Sequence, residues 1–264
     1  MSADVHPTAV VESGAILHDG VRVGPFCYVG PNAQLGSGTE LMSHASVIGS
    51  TKVGENCKIY PHAVLGCGPQ VIGMQEAPES RLEIGPGTVF REYATAHTGS
   101  PRHGGLTKIG KACYIMIGAH IAHDCVIGNN VVMANNVSLA GHITVGDHVW
   151  FGGLAAVHQF SRIGRNAFVG GGAIVVEDVI PFGSVVGNHA KLSGLNIVGL
   201  KRRGFTKSDL HEIRSAYKAV FEGNGIFKDR LDQAAEEYAG KPLAMEIIDF
   251  IRDGRDRPIC KPAS

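Results

Sequence analysis

Ile109-Gly-Lys-Ala-Cys-Tyr-Ile115-Met-Ile-Gly-Ala-His-Ile121-Ala-His-Asp-Cys-Val-Ile127 carries an Ile at every sixth position. A small residue, Cys113, Ala119 or Cys125, stands two places before each of the last three. The register continues through Met133, Leu139, Val145, Phe151, Val157, Ile163 and Val169 to Val175. Upstream it runs from Val5 to Leu65 without a miss, and it returns briefly at Ile84, Phe90 and Ala96. A period of six fits neither the 3.6 of an amphipathic helix nor the alternation of a half-buried hairpin sheet. It fits a parallel β-helix in which each hexapeptide makes one short strand and one turn. The aliphatic and the small residue two before it then point inward. Three hexapeptides close a triangular coil of about 18 residues, and coils stack at a sheet spacing of roughly 4.8 Å.

The pattern breaks near 66–82 and 97–108, where loops are expected to leave the prism; long loops on a rigid scaffold often carry function. After Val175 it fades, with Pro181 and Gly183 as punctuation. Thr206-Lys-Ser-Asp209 reads as a capping box. Leu210, Ile213, Tyr217, Val220 and Phe221 follow on one helical face. Gly223-Asn-Gly225 ends that helix, and two more are predicted over 227–238 and 242–253. The tail, with Pro258 and Pro262, is expected to fray. The expected division is a β-helix over 1–188 and a helical domain over 189–264.

Composition agrees and excludes alternatives. Gly occurs 36 times in 264 residues, which disfavours a mostly helical chain. Lys plus Arg and Asp plus Glu each number 24, so no global field recruits nucleic acid or anionic membrane. The N-terminus lacks a basic stretch followed by an apolar run, and no run of about 18 apolar residues exists. Six cysteines without a CxxC pair read as reduced thiols. A cytoplasmic location is therefore expected.

Of 13 histidines, His120, His123, His142, His148 and His158 crowd into one stretch at outward or turn positions of the repeat. Coil arithmetic places Gly141 over His123 and Gln159 over Gly141, with His142 and His158 as their neighbours. His123, His142 and His158 should thus line one edge within two coil steps, about 10 Å. Imidazole titrates near neutrality and suits a general base. Asp124 can orient His123, and the Gly141 N–H is a candidate oxyanion donor. Base plus oxyanion donor, with no protein nucleophile, makes a direct acyl-transfer site. Cys27, Cys57, Cys113 and Cys125 fall at the small inward position and read as core fillers, which disfavours a cysteine acyl-enzyme. Three histidines around zinc, as in a hexapeptide lyase, are the alternative chemistry. A scaffold without activity is a second alternative, but it leaves the histidines unexplained.

Further segments are specific. Ile117-Gly-Ala-His-Ile-Ala-His-Asp-Cys125, Ala134-Asn-Asn136, Leu139-Ala-Gly-His142, Ala156-Val-His-Gln-Phe160, Gly187-Asn-His-Ala190 and Gly199-Leu-Lys-Arg-Arg-Gly-Phe205 closely resemble the acyl-[acyl-carrier-protein]:UDP-N-acetylglucosamine O-acyltransferases of lipid A biosynthesis, within the hexapeptide-repeat acyltransferases. The resemblance covers essentially the whole chain. It implies a left-handed β-helix, against the usual right-handed rule for parallel crossovers, and a homotrimer with active sites between prisms. It implies transfer of a (3-hydroxy)acyl chain from acyl carrier protein to the 3-position of the UDP-sugar, with that thioester as donor, no cofactor and no metal. His123 matches the catalytic base, Asp124 its partner and Gly141 the oxyanion donor. His120, His142, His158 and Gln159 match substrate-groove residues; Asn196, Arg202 and Arg203 match nucleotide contacts; Phe168 and Gly171 match the far end of the acyl groove. Lys201, Arg202, Arg203, Lys207, Arg214 and Lys218 form a basic surface for the acidic carrier protein.

Two positions depart from the family. Its first loop usually carries Asp-Leu-Lys after a Gln, whereas Gln70 here precedes Val71-Ile72-Gly73, and Val198 stands where Glu is frequent. The missing charge pair raises a 3-amino sugar acceptor, giving an amide, as the alternative to the 3-hydroxyl. The related N-acyltransferase that acts on the acylated sugar carries an additional N-terminal uridine-binding domain. The repeats here begin at residue 5, which argues against that assignment.

Overall fold

In a computed structural model, which describes residues 2–74, 77, 79–254 and 257–263, the hexapeptides form short strands on the three faces of a triangular prism. The faces are sheets of 11, 9 and 8 strands among the described residues, and the chain visits the first, second and third face in turn. Neighbours pair in parallel and in the register the repeat demands, as in Asp4↔Arg22 and Val5↔Val23. The coil winds to the left.

The repeat explains this core. Ile115, Ile121, Met133, Leu139 and Phe151 are completely buried in a single column-filled interior, with Cys57, Ala119 and Cys125 in the small inward slots. Each buried aliphatic contributes on the order of 2 kcal/mol. Most corners place one residue in the left-handed backbone region, and non-glycine side chains occupy it repeatedly, among them Asp124 (φ 60°), His142 (φ 62°) and Phe160 (φ 66°). Because the corner repeats with the coil, these side chains stand one above another.

Both breaks in the register leave from one edge. Strand Val64–Cys67 lies on the second face and Arg81–Ile84 on the third; the same holds for Thr95–His97 and Leu106–Ile109. The described residues within 68–80, and residues 98–105, therefore extend from the corner between these faces. Gln75, Glu76 and Pro78, within the first expected loop, lie outside the described residues. In the next coils the same corner is built by 122–125, 140–143 and 158–161. The histidine-rich turns and both loops thus share one edge.

At the top, strand Lys191–Leu195 folds back antiparallel on Gly183–Val186 and extends the first face, so the expected division at 188/189 cuts a paired hairpin. Helix α1 (Ile197–Arg202) follows; its N-cap, Asn196, accepts from the Gly199 N–H at 3.1 Å. The repeat gave no sign of it. Helices α2 (Lys207–Phe221), α3 (Phe227–Glu237) and α4 (Pro242–Asp253) complete the chain. The Thr206–Asp209 capping box starts α2, with both reciprocal bonds made. The tail does not fray over 257–263. The Asp178 N–H donates to the Pro258 carbonyl and the Cys260 N–H to the Asp178 carbonyl, at 2.9 and 2.8 Å. The fully buried Asp178 carboxylate also holds Arg162 and Arg257, at 2.7 and 3.0 Å. These contacts outweigh the breaking tendency of the two prolines. Residues 255, 256 and 264 of this tail lie outside the described residues.

Candidate active site

At the shared corner Asp124 is fixed from several sides. One carboxylate oxygen, Oδ2, lies 2.7 Å from His123 Nδ1. The other accepts from the Ser100 N–H at 2.8 Å, and the Asp124 N–H donates to Thr107 Oγ1 at 2.8 Å. Only 4% of the Asp124 side chain and 14% of the His123 side chain are exposed. With Nδ1 donating to the carboxylate, Nε2 is the ring atom not engaged by Asp124. Ser100 belongs to the second loop, so that loop is docked on the carboxylate that orients His123.

Gly141 lies directly over the His123 ring. A Cβ built there would sit 2.5 Å from His123 Cε1 and 2.8 Å from Nε2. Only a glycine lets the imidazole occupy this position. The Gly141 N–H has no hydrogen-bond partner among the described residues, while the adjacent His142 N–H donates to the His123 carbonyl.

The other rings stack around this pair. His142 meets His123 edge-on at 5.1 Å and is covered by Phe160, parallel at 4.5 Å. His103, from the second loop, packs edge-on against His142 at 4.3 Å. Burial pushes the His142 pKa down against the opposing pull of Asp124. His120 stands on the adjacent second face, with Nδ1 2.7 Å from Thr95 Oγ1. Burial, aided by His97 and His123, pushes its pKa to about 4. His120 is therefore neutral at physiological pH and serves as a hydrogen-bonding group.

The structure brings His123, Asp124, Gly141, His142 and, on the flank, His120 together. His158 and Gln159 lie one coil higher on the same edge and are exposed; His158 Nδ1 donates to the Gln159 carbonyl at 3.2 Å. The ring over His142 belongs to Phe160, not His158. His148 lies at another corner, where its carbonyl accepts from Arg203 at 2.7 Å. Ser100, His103, Thr107 and Phe160 were not anticipated. Adding one coil to His142 would have found Phe160; the loop residues have no register to count from.

Asn196, Arg202, Arg203 and Phe168 gather elsewhere, around a cleft of about 540 Å³ against the first face that Trp150 and Val198 also line. Asn196 is engaged at both ends of its amide, capping α1 and donating to the Asn166 carbonyl at 2.9 Å. Arg203 Nη1 is buried without a hydrogen-bond partner among the described residues. Gly171 sits in the turn between the first and second faces, 3.3 Å from the Gly153 carbonyl at its notional Cβ. All six cysteines are free thiols. Cys125 is buried, its pKa pushed up to about 12, so it is no nucleophile at neutral pH.

The left-handed prism of hexapeptide coils is the architecture of the hexapeptide-repeat transferases. Residues 106–141 match the bacterial transferase hexapeptide model, and 178–260 match the model of UDP-N-acetylglucosamine O-acyltransferase domain 2. Curated relatives named acyl-[acyl-carrier-protein]–UDP-N-acetylglucosamine O-acyltransferase include that of Caulobacter vibrioides, 49% identical over 98% of both chains. That of Rhizobium johnstonii is 46% identical over 99% of this chain and 96% of its own. The Francisella novicida UDP-N-acetylglucosamine acyltransferase structure superposes with a TM-score of 0.94, at 33% identity over 98% of this chain and 95% of that one. The chain belongs to the acyl-[acyl-carrier-protein]–UDP-N-acetylglucosamine O-acyltransferase family.

Proposed function

We propose that this chain moves a (3-hydroxy)acyl group from acyl carrier protein to the 3-hydroxyl of UDP-N-acetylglucosamine, the first step of lipid A biosynthesis. The observation that carries the mechanism is the Asp124–His123 pair packed against Gly141, whose N–H has no hydrogen-bond partner among the described residues. His123 Nε2 takes the proton of the sugar hydroxyl as its oxygen attacks the thioester carbonyl. The Gly141 N–H donates to the developing oxyanion. Collapse forms the ester, breaks the C–S bond and returns the proton from the imidazolium to the departing thiolate. Asp124 holds the tautomer and stabilises the imidazolium throughout. Neutral His120 and His142 line the groove beside the reacting centre.

The nucleotide-binding reading rests on the first-face cleft. A phosphate oxygen there would satisfy the buried Arg203 Nη1, with Arg202 beside it. Asn196 supports that wall by capping α1. The cleft and the histidine corner occupy different parts of the prism, which supports a site completed between protomers of a homotrimer. His158 and Gln159, on the open edge, then face the neighbour. Phe168 and Gly171 meet the far end of the acyl chain across the same groove. Gly171→Met fills that groove, and the preferred acyl chain becomes shorter; an unchanged preference refutes this placement. Lys201, Lys207, Arg214 and Lys218 meet the carrier protein.

No cofactor is needed by this scheme. No helix among the described residues is long and apolar enough to cross a membrane. The absent charge pair at Val71–Gly73 is what raises the 3-amino acceptor, whereas the relatives are named O-acyltransferases. Mass spectrometry of products from 3-hydroxyacyl carrier proteins and each acceptor tests the reading. An ester on the 3-hydroxyl is expected; product with the amine alone overturns the assignment of acceptor.

A further inference from the structure

His103, Asp124 and His142 converge on one point of the second-loop edge, with one ligand-type atom from each lying within 4.8 Å of the others. This is not the trio of repeat histidines suggested by sequence spacing. His142 Nε2 and Asp124 Oδ2 are 3.6 Å apart. That is too long for a direct hydrogen bond. It is close to the edge of a tetrahedron around zinc, about 3.4 Å for bonds of about 2.05 Å.

The loop that supplies His103 is built onto the same carboxylate. Ser100 N–H donates to Asp124 Oδ1 at 2.8 Å, and Ser100 Oγ lies 3.3 Å from His103 Nδ1. The Gly105 N–H closes the turn on the Ser100 carbonyl at 3.0 Å. His103 Nδ1 is thereby engaged on the loop side, leaving Nε2 as its donor atom. His103 is exposed, so the outer position of the trio opens to solvent and an ion can enter and leave.

The geometry points to an inhibitory site for a zinc-class divalent ion at His103, Asp124 and His142. Two imidazoles and one carboxylate suit borderline-soft ions and leave a fourth position for water, whereas magnesium and calcium prefer oxygen donors. Asp124 is shared between this site and the His123 pair. An ion on Oδ2 competes with His123 Nδ1 for the oxygen that orients it, at 2.7 Å, and so withdraws the partner of the imidazole. The inhibitory consequence rests on the proposed general-base role of His123; the binding site does not.

Cobalt(II) is the probe for binding, because its visible absorption reports coordination without any turnover. Titration of metal-free full-length protein should saturate at one equivalent per chain, and zinc should displace the signal. His103→Ala should weaken binding at least about tenfold, while the control His18→Ala, remote from the site, should leave it unchanged. In the acyl-transfer assay, zinc should inhibit wild type and a chelator should reverse it. The ratio of rates with and without zinc, taken within each variant, should shift to higher zinc by a similar factor in His103→Ala. Absence of a one-equivalent site, equal cobalt affinity in His103→Ala, or binding without inhibition each overturns the proposal. If metal-free protein transfers no acyl group, the proposed function fails, and the cobalt titration still judges the site.

Discussion

Gly141→Ala adds one methyl group at the position where the account is most sensitive. The new Cβ would lie 2.5 Å from His123 Cε1, about 0.9 Å short of the 3.4 Å at which ordinary contact begins. The imidazole cannot retreat freely, because its Nδ1 is tied to Asp124 at 2.7 Å. Either the ring swings by close to 1 Å and strains that bond, or the turn carrying Gly141 moves and displaces the oxyanion donor. Both outcomes degrade the reacting geometry. A misplacement of about 1 Å costs on the order of a hundredfold in rate. Gly141 does not occupy the left-handed region, so alanine adopts its backbone conformation without strain. Stability should change by less than about 1 kcal/mol. The assay is steady-state acyl transfer with acyl carrier protein and sugar varied separately, accompanied by urea unfolding. The expected result is kcat down about a hundredfold, KM for the sugar within about threefold and a nearly unchanged unfolding midpoint. A variant with wild-type kcat would refute the placement of the base beneath Gly141.

Two other outcomes concern the scaffold. Asp178→Asn removes a charge that is fully buried between Arg162 and Arg257, so urea unfolding should show a loss of about 3 kcal/mol; an unchanged midpoint contradicts the role of this clasp in holding the tail. For His120, the folded pKa of about 4 lies below the ordinary 6.5, so the unfolded chain takes up the proton first. Its contribution to stability is complete above about pH 6.5 and declines as the pH falls toward 4. His120→Asn should therefore flatten the dependence of the unfolding free energy on pH between those values, and an identical slope in the variant counts against burial of a neutral imidazole.

The fold was legible because the β-helix repeats one physical demand at fixed spacing. Each aliphatic from Ile109 to Val175 enters the same interior, so a period in the sequence is a column in space. The same arithmetic placed Gly141 on His123, where it reports a contact too close for any other residue. It could not place residues that leave the register. Ser100 and His103 reach the site through a loop, and their contacts with Asp124 and His142 depend on tertiary folding. Helix α1 was hidden for a related reason: six residues capped by Asn196 are too short to show a period. The tail is held by Asp178, a charged residue whose two arginine partners lie far from one another in sequence.

The most direct test of the central claim is the rate of acyl transfer by His123→Ala with saturating acyl carrier protein thioester and UDP-N-acetylglucosamine. The account predicts 3-O-acyl product from wild type and a loss of about a hundredfold or more in the variant, with the fold intact. A folded variant that transfers the acyl group at the wild-type rate would contradict it.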